Sequence, residues 1–332
     1  PPEVHVLFRD LHNTYGGFAL SVRRCIAARD WMCLRLRTLF LLRKFLGSRA
    51  LKSAATLLLG EHHYDCVIGF RPGICADLAG YSVKAKRRIT WWHHGEFYVD
   101  RVAYGAMCSR MDAVAVVSRA CREMLQDHLP ELADKLICVP NMLDASAILQ
   151  KVEHTPYAKN DLCIVSVGRF APEKHFENIV PAAKALQAMN LAFMWHIVGD
   201  GSERARVEML ITENGLKDYV ILEGSKTNPY PYMKYADLFV HPSYIESQGL
   251  TVLEAMALGV PCVVTKSRGP CEFIEDGING LLTEQSPESL AEKVLSILTD
   301  KTLYQSIKEN TVCPEQFAPD RVMKQIEELI DG

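Results

Sequence analysis

The chain has 332 residues, 48% of them hydrophobic and 23% charged, with a formal net charge of -3. That is length enough for two domains with cores of their own, in the charge balance of a soluble globular protein, and it gives no footing for nucleic-acid binding. No apolar run reaches the roughly 18 residues of a membrane span, and the 11 cysteines, scattered through apolar runs without a C-x-x-C pair, read as small hydrophobes in a reducing compartment rather than disulfides or a metal site.

In chain order, "VHVLF" at residues 4–8 reads as a strand, and a long basic helical region follows from about Phe18 to Leu59. Between Arg23 and Lys52 it carries nine Lys/Arg and one acid, Asp30, with leucines and aromatics interleaved. Such a face is either simply solvated or rests on anionic lipid. "YDCVIGF", "RRITWWHH", "DAVAVVS" and "KLICVPN" then read as parallel strands with helices between them. The polar, aperiodic stretch "MLDASAILQKVEHTPYAKND" places a linker near residues 144–160, dividing a domain at 1–150 from one at 151–332.

The second half alternates more regularly. Strands are expected at "DLCIVSV", "AFMWHIV", "YVILEG", "DLFVHPS" and "PCVVT". Helices are expected at "FENIVPAAKALQAM", at "SERARVEMLITENG" (Ser202 as N-cap, Gly215 as stop), at "PYPYMKYA" and from about Leu250. Three helical segments close the chain, at 286–300, 303–310 and 320–331, and the last is expected to return to the first domain. Continuous apolar strands alternating with helices predict doubly wound parallel sheets covered on both faces. The halves are unequal, with four or five strands before Leu143 and six after Asn160.

In such folds ligands bind beyond the C-terminal ends of the strands. The chemistry-bearing residues fall there in succession: Gly168-Arg169 and Lys174, then Gly199-Asp200-Gly201, then Ser225 to Asn228, then "HPSYIESQGLTVLE" with Glu246 and Glu254. Gly249 permits close backbone approach, and the leading N–H groups of Leu250 and Thr251 suit a phosphate. Arg169 and Lys174 add cations for a diphosphate. Glu254, one turn into the helix, suits a ribose diol, and Glu246, on the other side of the phosphate, suits a sugar ring. The set reads as a site for a sugar joined through a diphosphate to a nucleoside.

Glu246-x7-Glu254 followed by "AMALGVPCVVT" resembles the signature of glycosyltransferase family 4, whose GT-B fold faces two Rossmann-like domains. "SVGRFAPEKHFENIV" and "IVGDGSERARVE" are similar to two further motifs of that family, in order. The resemblance is strong over residues 160–330. It is weaker before them, where "KAKRRITWWHHGEF" resembles the bacterial polysaccharide branch. It implies a retaining, metal-independent transfer of a hexose from a nucleotide sugar, UDP-linked by expectation, to a saccharide or lipid-linked acceptor in surface-glycan synthesis. It further implies a cytoplasmic enzyme, resting on the inner membrane face through residues 23–52, with no cofactor and no metal. No Asp-x-Asp occurs in the chain.

By the same resemblance Glu246 and His93 would act at the reacting carbon, with His94 directly after His93 leaving that register open by one position. Arg169 and Lys174 would hold the diphosphate, Glu254 the ribose, and Gly168, Asn228, Gly249, Leu250 and Thr251 the remainder of the donor, which rests almost wholly on the second domain. The family's first domain opens with a strand, a glycine-rich loop, a helix and a second strand. Here Gly16-Gly17 follows "VHVLF" but no second strand follows the helix, so we expect Pro1 to lie inside a shortened first domain; the alternative is a short domain using Gly16-Gly17 as that loop. Other readings are a nucleotide-sugar-binding protein without efficient turnover, and a GT-B epimerase or small-glycoside synthase.

Overall fold

The structure is a computed structural model that describes residues 63–152, 154 and 162–332, together with Trp31, Leu34, Arg35, Thr38, Leu39 and Phe45. The strand expected at residues 4–8, the pair Gly16-Gly17 and nearly all of the basic run 23–52 lie outside the described residues.

The first sheet holds β1 (His63–Gly69), β2 (Lys84–Trp92), β3 (Ala113–Val116) and β4 (Leu136–Cys138) in the order β1-β2-β3-β4, every pair parallel. The crossovers are α1 (Ile74–Tyr81), α2 (Arg101–Cys108) and α3 (Arg119–His128). The last two start on side-chain caps, Asp100 accepting from the Ala103 N–H and Ser118 from that of Cys121. Trp92, Val114, Val116 and Leu125 are fully buried around this sheet.

The second sheet is larger: β5 (Leu162–Val167), β6 (Phe193–Val198), β7 (Val220–Gly224), β8 (Leu238–His241), β9 (Cys262–Thr265) and β10 (Leu281–Thr283), again all parallel, in the order β10-β9-β8-β5-β6-β7. The covering helices are α5 (Ile179–Ala188), α6 (Arg204–Glu213), α7 (Tyr230–Lys234), α8 (Leu250–Ala257), α9 (Pro287–Thr299) and α10 (Lys301–Asn310). From β5 the chain winds one way to β6 and β7 and the other way to β8, β9 and β10. The crevice of a doubly wound sheet opens where the order reverses, between β5 and β8. The loops that leave those two strands carry Gly168-Arg169 and the segment His241 to Gly249.

Two local readings need correction. The stretch expected to be linker contains a helix, α4 (Ala145–Gln150), capped by Asp144, whose Oδ1 accepts from the Ala147 N–H at 2.9 Å. Leu143 and Ile148 are buried in the core under the second sheet, so that half starts before residue 144; only two apolar anchors five residues apart mark the segment, too few to register as a period. The helix expected to be capped by Ser202 begins at Arg204, and the Ser202 hydroxyl donates instead to the Phe170 carbonyl at 3.4 Å. The final helix, α11 (Pro319–Asp331), buries Val322 and Leu329 in the core of the first sheet, and Arg87 Nε donates to the Leu329 carbonyl at 2.7 Å.

Candidate active site

The floor of the crevice is two glycine turns pressed together. A Cβ on Gly199 would stand 1.8 Å from the Gly168 carbonyl oxygen, and one on Gly201 would stand 2.3 Å from that of Phe170. The loop after β5 therefore lies directly on the loop after β6, and both positions exclude any side chain. Arg169 emerges above them, 72% exposed, with Nη2 3.1 Å from Glu173 Oε1. The turn that follows is tied to the β8 loop: the Glu173 carbonyl accepts from the Tyr244 N–H at 3.1 Å and the Ser243 hydroxyl at 3.0 Å. Left-handed backbone at His175 (φ 45°) brings its ring onto Tyr244, centroids 3.9 Å apart.

These ties deliver Lys174 to Glu246. The Lys174 ammonium donates to Glu246 Oε1, and His241 Nε2 lies 2.6 Å from the same oxygen. Burial alone would raise the Glu246 pKa, but His241 and Lys174 outweigh it and hold the carboxyl down at about 2. Both contacts fall on Oε1, and Oε2 takes no hydrogen bond among the described residues.

Gly249 caps α8 in the left-handed region (φ 83°), and a Cβ there would meet Pro270 at 2.7 Å. The first bonds inside the helix run from Val252 and Leu253 to the Gly249 carbonyl, so the N–H groups of Leu250 and Thr251 head the helix as donors. One turn on, Glu254 Oε1 accepts from the Tyr230 hydroxyl at 3.3 Å, and burial pushes the Glu254 pKa up. The two carboxylates thus differ in kind. Glu246 is held ionised by its contacts with Lys174 and His241, and Glu254 is a desolvated acceptor whose charge needs hydrogen-bond donors.

Asn228 sits at the rim with its side chain already engaged: Nδ2 donates to the Lys151 carbonyl at 2.8 Å, and Oδ1 accepts from the Tyr230 N–H at 3.2 Å. Its side-chain amide thus braces the rim, consistent with a loop expected to meet the base mostly through backbone. Beyond it, Glu223 ties His196 (Nδ1 at 2.9 Å), Tyr232 (hydroxyl at 3.0 Å) and Lys226 (Nζ at 3.3 Å).

The first half closes the other wall. A Cβ on Gly95 would lie 3.1 Å from the Glu246 backbone, so the turn after β2 abuts the β8 loop. His93 meets Phe70 in a tilted ring contact with centroids 4.6 Å apart, burial drives its pKa down to about 4, and its Nε2 is buried without a hydrogen-bond partner among the described residues. No hydrogen bond joins it to Glu246 or Lys174 among the described residues. Its neighbour His94 also has a lowered pKa, from burial first and then from the charges of Arg71 and Arg169 across the cleft. The structure therefore sets both histidines neutral at the cleft wall, with His94 the one that faces Arg169.

Gln248, 2% exposed, joins the halves: its Oε1 accepts from the Asn141 N–H and Nδ2, both at 2.8 Å, and its Nε2 donates to the Asn141 carbonyl at 3.1 Å. Glu272 does likewise, its carboxylate accepting from the Ala120 and Arg119 N–H groups at 2.7 and 3.1 Å at the head of α3. Between the halves lies a cavity of about 760 Å³ whose wall includes Glu246, Phe97, His128, Asp127 and Arg268. Sequence reasoning missed His241, Gln248, Tyr230 and Glu272. Only His241, at a strand end five residues before Glu246, carried a local signal. Among the described residues no cluster of His, Cys, Asp and Glu is arranged to hold a metal ion, and no helix is long and apolar enough to cross a membrane.

Comparison with known proteins places the chain in a family and a fold. The lipopolysaccharide core biosynthesis glycosyltransferase LpsE of Rhizobium meliloti is 33% identical over 147 residues, 44% of this chain and 42% of its own length. The poly(ribitol-phosphate) alpha-N-acetylglucosaminyltransferase of Staphylococcus aureus is 29% identical over 156 residues, 46% of this chain and 32% of its own. The matches thus span less than half the length of these curated relatives. Among solved structures, Anabaena Alr3699/HepE in complex with UDP superposes with a TM-score of 0.65 at 20% identity, covering 74% of this chain and 72% of that one. TarM superposes with a TM-score of 0.69 at 19% identity, covering 90% and 58%. The two parallel Rossmann-like sheets are those of the GT-B fold. The profile described as "Glycosyl transferases group 1" matches residues 147–312, the half that carries both glutamates, Lys174 and the head of α8, and the chain belongs to that family.

Proposed function

We propose that the protein transfers a hexose from a UDP-sugar to a saccharide acceptor, with retention of configuration and without a metal, in the manner of glycosyltransferase family 4. The observation that carries this reading is the placement of Glu246 and Glu254 on either side of the head of α8, whose leading N–H groups are donors, with Lys174 bound to Glu246. A diphosphate seated on the Leu250 and Thr251 N–H groups would put the ribose against Glu254 and the hexose against Glu246. Charge developing on the leaving diphosphate would be met by Arg169, Lys174 and the α8 dipole, preorganised and partly desolvated. Glu246 Oε2, with its carboxyl held ionised, would face the oxocarbenium-like carbon or its neighbouring hydroxyls. His93 and His94, both neutral, would offer hydrogen bonds from the opposite wall. HepE binds UDP in the structure cited, and LpsE is a lipopolysaccharide core enzyme; the UDP donor and a surface-glycan acceptor are proposed here on that support.

The test is calorimetry with UDP together with a donor-turnover assay on UDP-glucose and UDP-N-acetylglucosamine. Glu254→Ala is expected to weaken UDP by about 1.5–3 kcal/mol, roughly 10- to 150-fold. Glu246→Ala should leave UDP binding nearly intact and abolish turnover. The reverse pattern would overturn the assignment, and UDP binding without transfer or hydrolysis would favour a binding protein.

A further inference from the structure

Among the described residues, the Glu254 carboxylate accepts one hydrogen bond, from Tyr230. Tyr230 opens α7, its hydroxyl donates to Glu254 Oε1 at 3.3 Å, and its own N–H is fixed by Asn228 Oδ1 at 3.2 Å. Asn228 in turn grips the Lys151 carbonyl at 2.8 Å, and the Lys151 ammonium lies 5.8 Å over the centre of the Tyr230 ring. The segments at 151 and 228–230 thus brace Tyr230, whose hydroxyl reaches one oxygen of the half-buried Glu254 carboxylate. The other oxygen, Oε2, takes no hydrogen bond among the described residues.

A ribose offers two adjacent hydroxyls, and one carboxylate receives both well only when its plane is set to face them. The terminal torsion of a glutamate is broad, so an unheld Glu254 would spend much of its time turned away. We propose that Tyr230 is a positioning residue that fixes the plane of the Glu254 carboxylate and thereby makes the site select a ribose diol over a deoxyribose. The inference rests on the reading of Glu254 as the ribose acceptor. Asn228 and Lys151 act one step further out, by fixing the backbone and ring of Tyr230.

Tyr230→Phe keeps the ring, its packing and its place beneath Lys151, and removes only the hydroxyl. The experiment measures calorimetric Kd values for UDP, 2′-deoxy-UDP and 3′-deoxy-UDP on the wild type, Tyr230→Phe, Glu254→Gln and the double variant. The wild type should prefer UDP over both deoxy analogues by about tenfold or more, the worth of one lost hydrogen bond to a charged group. Tyr230→Phe should shrink that preference several-fold while changing the deoxy Kd values less than about twofold, and the double variant should discriminate no worse than Glu254→Gln alone. If Tyr230→Phe weakens all three ligands equally, or leaves the preference intact, Tyr230 is packing support and the proposal fails. If the wild type itself binds UDP and its deoxy analogues alike, the assignment of Glu254 to the ribose fails, and the proposal with it.

Discussion

Glu246 ties the site's charge to the protein's stability, and the link can be measured. Its carboxyl, 11% exposed, is held at about 2 against an ordinary 4.5: burial opposes ionisation, and His241 and Lys174 more than offset it. A carboxyl depressed in the folded state contributes stability that is fully present above its unfolded pKa and is lost as pH falls through the folded one. The gap corresponds to roughly 3 kcal/mol in full. About 2 kcal/mol of that should disappear between pH 7 and pH 3, where the unfolded chain has taken up its proton and the folded one has not. Glu246→Gln lacks the titrating group, so its stability should fall by about 2 kcal/mol less over the same window. Urea denaturation of both proteins across pH 3–7 reads the difference directly. All other acidic groups are shared, so their contributions cancel. Parallel stability profiles for the two would refute the claim that the pair with Lys174 and His241 holds this carboxylate ionised.

Three further outcomes are expected. Gly199→Ala places a methyl 1.8 Å from the Gly168 carbonyl oxygen and must part the two turns, at a cost of about 1–3 kcal/mol or more, visible as a lowered Tm and a weakened UDP Kd together; an unchanged Tm would mean the turns are not packed as described. Gln248→Leu removes three hydrogen bonds between the halves and strands the Asn141 amide, at roughly 1–3 kcal/mol for each buried group left unpaired, so small-angle scattering should show a larger radius of gyration, and an identical profile would show that other contacts set the closure. The basic run 23–52, at on the order of 1 kcal/mol per Lys or Arg near an anionic surface, should retain the protein on anionic vesicles at low salt and release it at high salt; equal partitioning onto neutral vesicles would count against a membrane role.

What could be read without coordinates was what is local. The strands of the second half announced themselves as short apolar runs closed by glycine, and their order along the chain placed Arg169, Lys174, Glu246 and Glu254 at successive strand ends. Gly249 was legible as a place of close backbone approach, and the structure gives it a positive φ with Pro270 packed against it. Illegible was whatever depends on which oxygen meets which partner. Lys174 was read as a diphosphate cation and Glu246 as a sugar contact, and the structure binds one to the other. Asn228 was read as a donor contact, and its amide is spent on Lys151 and Tyr230. The helix at Ala145–Gln150 escaped because two buried anchors make no period.

The largest omission was the seam between the halves, and it changes how the donor site should be understood. A site built at the strand ends of one sheet would be expected to stand on that sheet alone. Here the segment from Glu246 to Gln248 is gripped from the first half at each residue: Gly95 packs on the Glu246 backbone, Cys121 Sγ lies 3.8 Å from the Ser247 carbonyl, and Asn141 engages the side chain of Gln248 three times. Glu272 extends the seam to the head of α3. A loop that carries the Glu246 carboxylate at one end and the head of α8 at the other cannot move against the first half without shifting both. If the proposed donor site is right, displacement of the seam should therefore alter donor affinity and transfer together, because contacts from the first half hold the segment that carries Glu246 and Gln248.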